Sequence, residues 1–158
     1  MSWRAYAAGI GLLFSSCIGA GAEDACKVPP VEFELSVSSP ASPASGEVTL
    51  CLVIKVAKSW HIYAETYNDG PEQPLMVALS LPPGAETVGG WIGPDAGSPG
   101  VLGEGSQMTY IGNVILTQKL RVHELKKDAR LLATISWQAC SALLCRPPEK
   151  HQILVDLH

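Results

Sequence analysis

The feature that most constrains this chain is the alternating run from Val48 to Val56, in which every second residue is a large apolar one. Successive side chains of a β-strand point to opposite faces, so one face of this run is wholly apolar. Cys51 lies on the opposite, more polar face. An amphipathic strand, half buried against a core, is the structure that this period predicts.

Similar runs recur along the chain and stop at clusters of Gly, Pro, Asn or Ser, which favour turns. They cover residues 31–37, 75–81, 88–92, 110–122, 131–139 and 153–157. Together with the first run they predict an all-β fold, an immunoglobulin-like β-sandwich of about seven or more strands. The charged stretch 123–130 is interpreted as a solvated connection, and residues 93–107 as the longest segment without a strand.

The first residues have the pattern of an export signal. Arg4 precedes an apolar stretch, and Ala20, Gly21 and Ala22 fit a small-x-small cleavage pattern. We therefore predict a signal peptide at residues 1–22, cleaved near Ala22, and a single domain at 23–158 that is periplasmic or otherwise exported. A lipoprotein anchored at Cys17 is the alternative, but Phe14 fits that motif poorly. The apolar stretch is too short to cross a bilayer, so the domain is not expected to span a membrane.

Charge and motifs exclude several classes of function. The formal net charge of −4 argues against a nucleic-acid partner. Hydrolase motifs and phosphate-binding glycine loops are absent from the sequence, so neither hydrolysis nor a nucleotide cofactor is expected. No cofactor of any kind is expected.

Four cysteines remain if the leader is removed: Cys26, Cys51, Cys140 and Cys145. An even number in an exported domain suggests disulfides, and four cysteines allow three pairings. Spacing favours only Cys140 with Cys145, because a hairpin would bring them within bonding reach. Cys26 with Cys51 is then a possible structural disulfide.

The Cys140–Cys145 pair has two interpretations. It could be a structural staple, or it could exchange with the thiols of other proteins. A disulfide that closes so short a loop contributes little loop entropy to stability, which favours exchange. Arg146 beside Cys145 would promote ionisation of its thiol, whereas apolar surroundings would oppose it.

Several short motifs carry a family resemblance. They are Trp60-His-Ile-Tyr63, Gly112 after Tyr110, Trp137-Gln-Ala-Cys140-Ser and Cys145-Arg-Pro-Pro148. With these motifs the chain resembles the N-terminal periplasmic domain of DsbD-type thiol:disulfide interchange proteins, from about Val31 to Leu157. The block around the cysteines is the most specific part.

The resemblance implies an immunoglobulin-like domain whose dithiol receives electrons from a thioredoxin-like or membrane donor protein and passes them to exported oxidoreductases. By position, Cys145 would bond to the partner and Cys140 would resolve the complex. His61 and Tyr63 would line the site; a partly buried strand residue is an equally good interpretation of Tyr63 and a better one of His61. A flexible cap loop would be formed by Ser98, Gly100, Val101, Leu102, Gly103 and Glu104.

Two other classes of function compete with interchange. Cys140, Cys145, His61, Met76 and Met108 are soft ligands suited to Cu(I), but they show no clustered spacing, so no metal site is predicted. A plain binding or adhesion module with a structural disulfide is the other alternative. Trp137 alternates with Ile135 and Ala133 and is assigned to the core rather than to the site.

Overall fold

Eleven β-strands make up the part of the chain that the computed structural model describes, residues 29–38 and 45–157. A single turn of 3-10 helix at Gly105–Gln107 is the only helical element in that part. The strands are β1 (Val31–Ser38), β2 (Ser45–Val56), β3 (Trp60–Tyr63), β4 (Met76–Ser80), β5 (Ala85–Ile92), β6 (Val101–Leu102), β7 (Thr109–Tyr110), β8 (Asn113–His123), β9 (Arg130–Trp137), β10 (Ala139–Ser141) and β11 (Glu149–Asp156).

These strands form three antiparallel sheets. A four-stranded sheet in the order β1-β2-β8-β5 and a three-stranded sheet in the order β11-β9-β4 contribute buried side chains to one shared core. The third sheet, in the order β10-β3-β7-β6, is called the site sheet below. The all-β, immunoglobulin-like sandwich predicted from the alternation is confirmed.

The alternating faces are buried as their sequence predicts. Leu50, Leu52 and Ile54 of β2 are fully buried, whereas Cys51 between them is partly exposed. Trp137 is a core residue, as expected: it is 5% exposed, and its ring centroid lies 4.5 Å from that of Phe33. Apolar burial of this kind is the main source of stability in a sandwich.

Two of the predicted runs are each divided between two sheets. The run 110–122 breaks at Gly112, which has a φ of 58°, a value that glycine adopts at little cost. As a result, β7 lies in the site sheet and β8 in the sandwich. The run 131–139 breaks at Gln138, so β9 lies in the sandwich and β10 in the site sheet.

The segment 93–107 was wrongly interpreted as having no strand. It contains β6 and the 3-10 turn, and the backbone N–H of Ile111 donates to the carbonyl of Gly100 at 2.8 Å. Such short strands are held by tertiary pairing, and their residues show no alternation that a sequence pattern can register.

Some of the predictions fall outside the described residues. These are the signal peptide at residues 1–22 with its cleavage near Ala22, the lipoprotein alternative at Cys17, and one partner of the possible Cys26–Cys51 disulfide. Cys51 itself lies on β2, opposite Ser36 and Thr117, and forms no disulfide with a described residue. In the ranges 29–38 and 45–157 no helix has the length and apolar character needed to cross a bilayer.

Candidate functional site

A tight hairpin carries the two late cysteines. Cys140 on β10 lies directly opposite Cys145 on the returning chain, with their Cα atoms 4.0 Å apart, and a disulfide joins them. The turn is organised by Ser141, whose N–H donates to the carbonyl of Leu144 at 2.8 Å. The hydroxyl of Ser141 also accepts the N–H groups of Leu143 and Leu144, each at 3.2 Å. This is the pair that the spacing favours.

The two sulfur-bearing residues differ sharply in exposure. Cys140 is 1% exposed, whereas Cys145 is exposed. Leu143 and Leu144, just before Cys145, are 93% and 55% exposed. A molecule approaching this disulfide therefore meets Cys145 first, beside an apolar surface.

The cation next to Cys145 is already paired. Arg146 Nε lies 3.0 Å from a carboxylate oxygen of Glu149, and both side chains are roughly one-third exposed, at 39% and 33%. An ion pair leaves less of the positive charge available to stabilise a neighbouring thiolate. The sequence drew attention to Arg146 but gave no sign of its partner.

The structure places His61 opposite Cys140, and Tyr63 next to His61. His61 is the strand partner of Cys140 across β3 and β10, so their side chains lie on the same face. The ring centroids of His61 and Tyr63 are 5.3 Å apart, edge to face. Tyr67, from the connection that follows β3, stacks on Tyr63 at 4.2 Å.

Glu72 lies next to Tyr67, and its carboxylate affects the pKa values of Tyr67, Tyr63 and His61. The hydroxyl of Tyr67 donates to a carboxylate oxygen of Glu72 at 2.5 Å, which raises the pKa of Tyr67 to about 12 and lowers that of Glu72. Burial raises the pKa of Tyr63, and Glu72 adds to that shift. Burial lowers the pKa of His61, against the opposing effect of the Glu72 carboxylate.

Sequence reasoning missed Tyr67 and Glu72. Both belong to the irregular connection that follows β3, which has no periodicity, and only its folded path brings Tyr67 against Tyr63 and Glu72 within electrostatic reach of His61. No signal in a single sequence marks them as site residues.

The predicted cap loop forms the far edge of the site sheet. Val101 is buried, and Leu102 is exposed beside a surface cavity of about 660 Å³ that Trp60, His61 and Ala142 also line. Ser98 begins the turn before β6, because its carbonyl accepts the N–H of Val101 at 3.1 Å.

Two side-chain hydrogen bonds join the 3-10 turn that follows the cap loop to the chain that follows β3. Thr66 Oγ1 donates to the carbonyl of Gly105 at 2.9 Å, and Gln107 Nε2 donates to Asp69 at 2.6 Å. Gly103 and Gly105 have positive φ values, and Glu104 between them is exposed. With the loop in this position Cys145 remains exposed.

The residues weighed as copper ligands are distributed over different sheets. Met76 lies on β4 of the three-stranded sheet, whereas Cys140 and His61 lie on the site sheet. A disulfide sulfur is not the thiolate that soft metals bind. Among the described residues no group of three or more His, Cys, Asp or Glu side chains could hold a metal ion.

The fold and the site together define a class of domain: an immunoglobulin-like sandwich that carries a hairpin disulfide on a third sheet of short strands. The family described as the N-terminal part of thiol:disulfide interchange protein DsbD matches residues 28–157, and the chain belongs to that family. Membership supports a role in disulfide exchange. Among curated proteins, no sequence matches significantly.

A solved structure shares the fold at low sequence identity. The N-terminal periplasmic domain of ScsB from Proteus mirabilis superposes with a TM-score of 0.52 and 14% identity, over 80% of this chain and 46% of that chain. This chain thus spans about half of the matched ScsB domain. The reduced DsbD N-terminal domain of Neisseria meningitidis gives a TM-score of 0.43 and 12% identity, over 81% of this chain and 88% of that one.

Proposed function

We propose that this chain is an exported thiol:disulfide interchange domain that passes electrons between partner proteins through Cys140 and Cys145. The observation that carries the proposal is the unequal exposure of the two cysteines within one disulfide. Family membership supports it, as does the periplasmic location that the name of the matched ScsB domain states. The predicted signal peptide at residues 1–22 would deliver the domain there.

The reaction would proceed in two exchange steps. A thiolate of the electron donor attacks Sγ of Cys145, a donor–Cys145 disulfide forms, and Cys140 departs as a thiolate that takes up a proton. The donor's second thiol then attacks the mixed disulfide and leaves the chain as a dithiol. Oxidation by an acceptor disulfide reverses the sequence, with Cys145 attacking and Cys140 resolving.

The partners would be a thioredoxin-like or membrane-associated donor and exported oxidoreductase acceptors. The exposed Leu143 and Leu144 offer such partners an apolar contact next to the reacting sulfur. Leu102 of the cap loop lines the same cavity as His61, so opening of that loop would widen a partner's access to the site. His61 lies on the same face as Cys140 and would supply the proton that the departing thiolate takes up.

Trapping variants test the assignment of the two sulfurs. In a background with Cys26→Ser and Cys51→Ser, Cys140→Ser leaves Cys145 without its resolving thiol and is expected to accumulate a covalent complex with an oxidised thioredoxin-like protein from the same compartment. Cys145→Ser in the same background is the matched control and is expected to trap nothing. Non-reducing electrophoresis separates the two outcomes.

Two results would contradict the proposal. Trapping through Cys140 would reverse the roles of the sulfurs. If neither variant trapped a partner and both lost much of their stability, the disulfide would be a staple of a binding module.

A further inference from the structure

Gln138 lies at the point where the chain leaves the sandwich for the site sheet. Its side-chain oxygen accepts the backbone N–H of Gln73 at 2.9 Å, and its side-chain nitrogen donates to the carbonyl of Arg146 at 2.9 Å. A backbone N–H can only donate and a carbonyl can only accept, so both contacts require the same orientation of the amide. One side chain therefore connects the β9–β10 junction, the chain behind Cys145 and the connection before β4.

These bonds fasten the chain immediately after the exposed cysteine. The N–H of Arg146 also donates to the carbonyl of Ala139 at 2.9 Å, so Arg146 is held through both its backbone groups. On the other side, Gln73 is anchored because its side chain donates to the hydroxyl of Ser136 on β9 at 3.2 Å. The backbone of Cys145 is therefore fixed relative to β9 from the side remote from the turn.

We infer that Gln138 is a positioning residue that holds Cys145 opposite Cys140 when the disulfide is open. The inference rests on the proposed function, because only a pair that opens and closes has a dithiol state to be held. The side-chain hydrogen bonds of Gln138 go to backbone groups of Gln73 and Arg146 and not to either sulfur, so its effect would act through the backbone of Arg146.

The physical consequence is a change in the stability of the disulfide relative to the dithiol. If the chain at Cys145 and Arg146 is already held in place, it loses less conformational freedom when the disulfide forms. The two thiols then have a higher effective concentration toward each other. Removing the Gln138 side-chain amide frees the chain at Cys145 and Arg146 chiefly in the dithiol state, because the disulfide holds that chain when it is closed. The equilibrium should then move toward the dithiol, and the reduction potential should rise.

The experiment measures this equilibrium with glutathione in Gln138→Met and Gln138→Glu. Two glutathione thiols reduce the Cys140–Cys145 bond, giving one glutathione disulfide and two protein thiols, which alkylation and mass spectrometry then quantify. Methionine retains the shape and loses both hydrogen bonds, whereas glutamate retains only the acceptor. The control variants are Gln152→Met and Gln152→Glu, because Gln152 is an exposed glutamine on β11 whose side chain donates a hydrogen bond to Thr134, away from the disulfide hairpin.

We expect the equilibrium to favour the dithiol by about tenfold in Gln138→Met, equivalent to a rise of about 30 mV, with a shift in the same direction in Gln138→Glu. The Gln152 variants should match the parent. A role in folding alone would lower the melting temperature of the oxidised and reduced forms equally and leave the equilibrium unchanged.

An equilibrium within twofold of the parent in both Gln138 variants would overturn the inference, as would an equal shift in the Gln152 variants. If Gln138→Met does not fold, Gln138→Glu decides the question. The measurement needs no partner protein, so its failure is distinguishable from a failure of the trapping experiment, which tests the relay itself.

Discussion

At the scale of single residues, the site combines an exposed cysteine, Cys145, with a buried one, Cys140. Cys140 lies next to a series of ionisable side chains. Cys140 is enclosed and opposite His61, and His61 leads through Tyr63 and Tyr67 to Glu72. Charge developing on Cys140 would therefore arise in a partly desolvated place, where electrostatic effects are stronger than in water. In the proposed exchange, the protonation state of His61 would therefore matter.

Replacing Glu72 should lower the pKa of His61 further. The Glu72 carboxylate favours the imidazolium and opposes the effect of burial, so Glu72→Gln removes the one contribution that raises the pKa. The NMR titration midpoint of the His61 ring should move to lower pH. Glu86→Gln is the control, because Glu86 pairs with Arg121 on the sandwich. An unchanged or higher midpoint in Glu72→Gln would contradict the electrostatic link.

Only part of the site could be predicted from the sequence. The Cys140–Cys145 pair could be predicted because sequence spacing nearly determines the distance between two residues of a hairpin. His61 and Tyr63 came from the family resemblance. Tyr67, Glu72 and the Glu149 partner of Arg146 depend on chain paths that no local pattern encodes.

At the scale of the elements, the break between β7 and β8 depends on one backbone angle. Gly112 has a φ of 58°, and an added Cβ would meet no atom within 4 Å. Gly112→Ala should therefore cost only the strain of a left-handed residue, about 1 kcal/mol of unfolding free energy. Gly90→Ala is the matched control, with equally open space and no positive φ, and should leave stability unchanged or slightly raised.

Urea denaturation of both variants measures the difference. Equal stabilities would show that the angle at Gly112 is not a constraint. Alternation continues through residues 110–122 and hides a break that the backbone angle reveals, so this one predicted run corresponds to two strands. The run 131–139 hides the break at Gln138 in the same way.

At the scale of the whole molecule, the sandwich should not depend on its disulfide. The ring that Cys140 and Cys145 close is short, so opening it should cost about 2 kcal/mol, or roughly 4–8 °C in melting temperature. The test compares thermal melts of the oxidised and reduced Cys51→Ser variant, in which no Cys26–Cys51 bond can contribute. We expect one cooperative transition in each form. Loss of the transition on reduction would indicate a staple.

The division of the run 131–139 between two sheets also has a consequence for how a pull on Cys145 would be transmitted. A partner bonded to Cys145 would pull, through the hairpin, on β10, and β10 continues through Gln138 into β9. Because β9 is hydrogen-bonded to β11 on one side and β4 on the other, the pull is resisted by two ladders together. A tethered partner could therefore turn and separate while the sandwich keeps its shape.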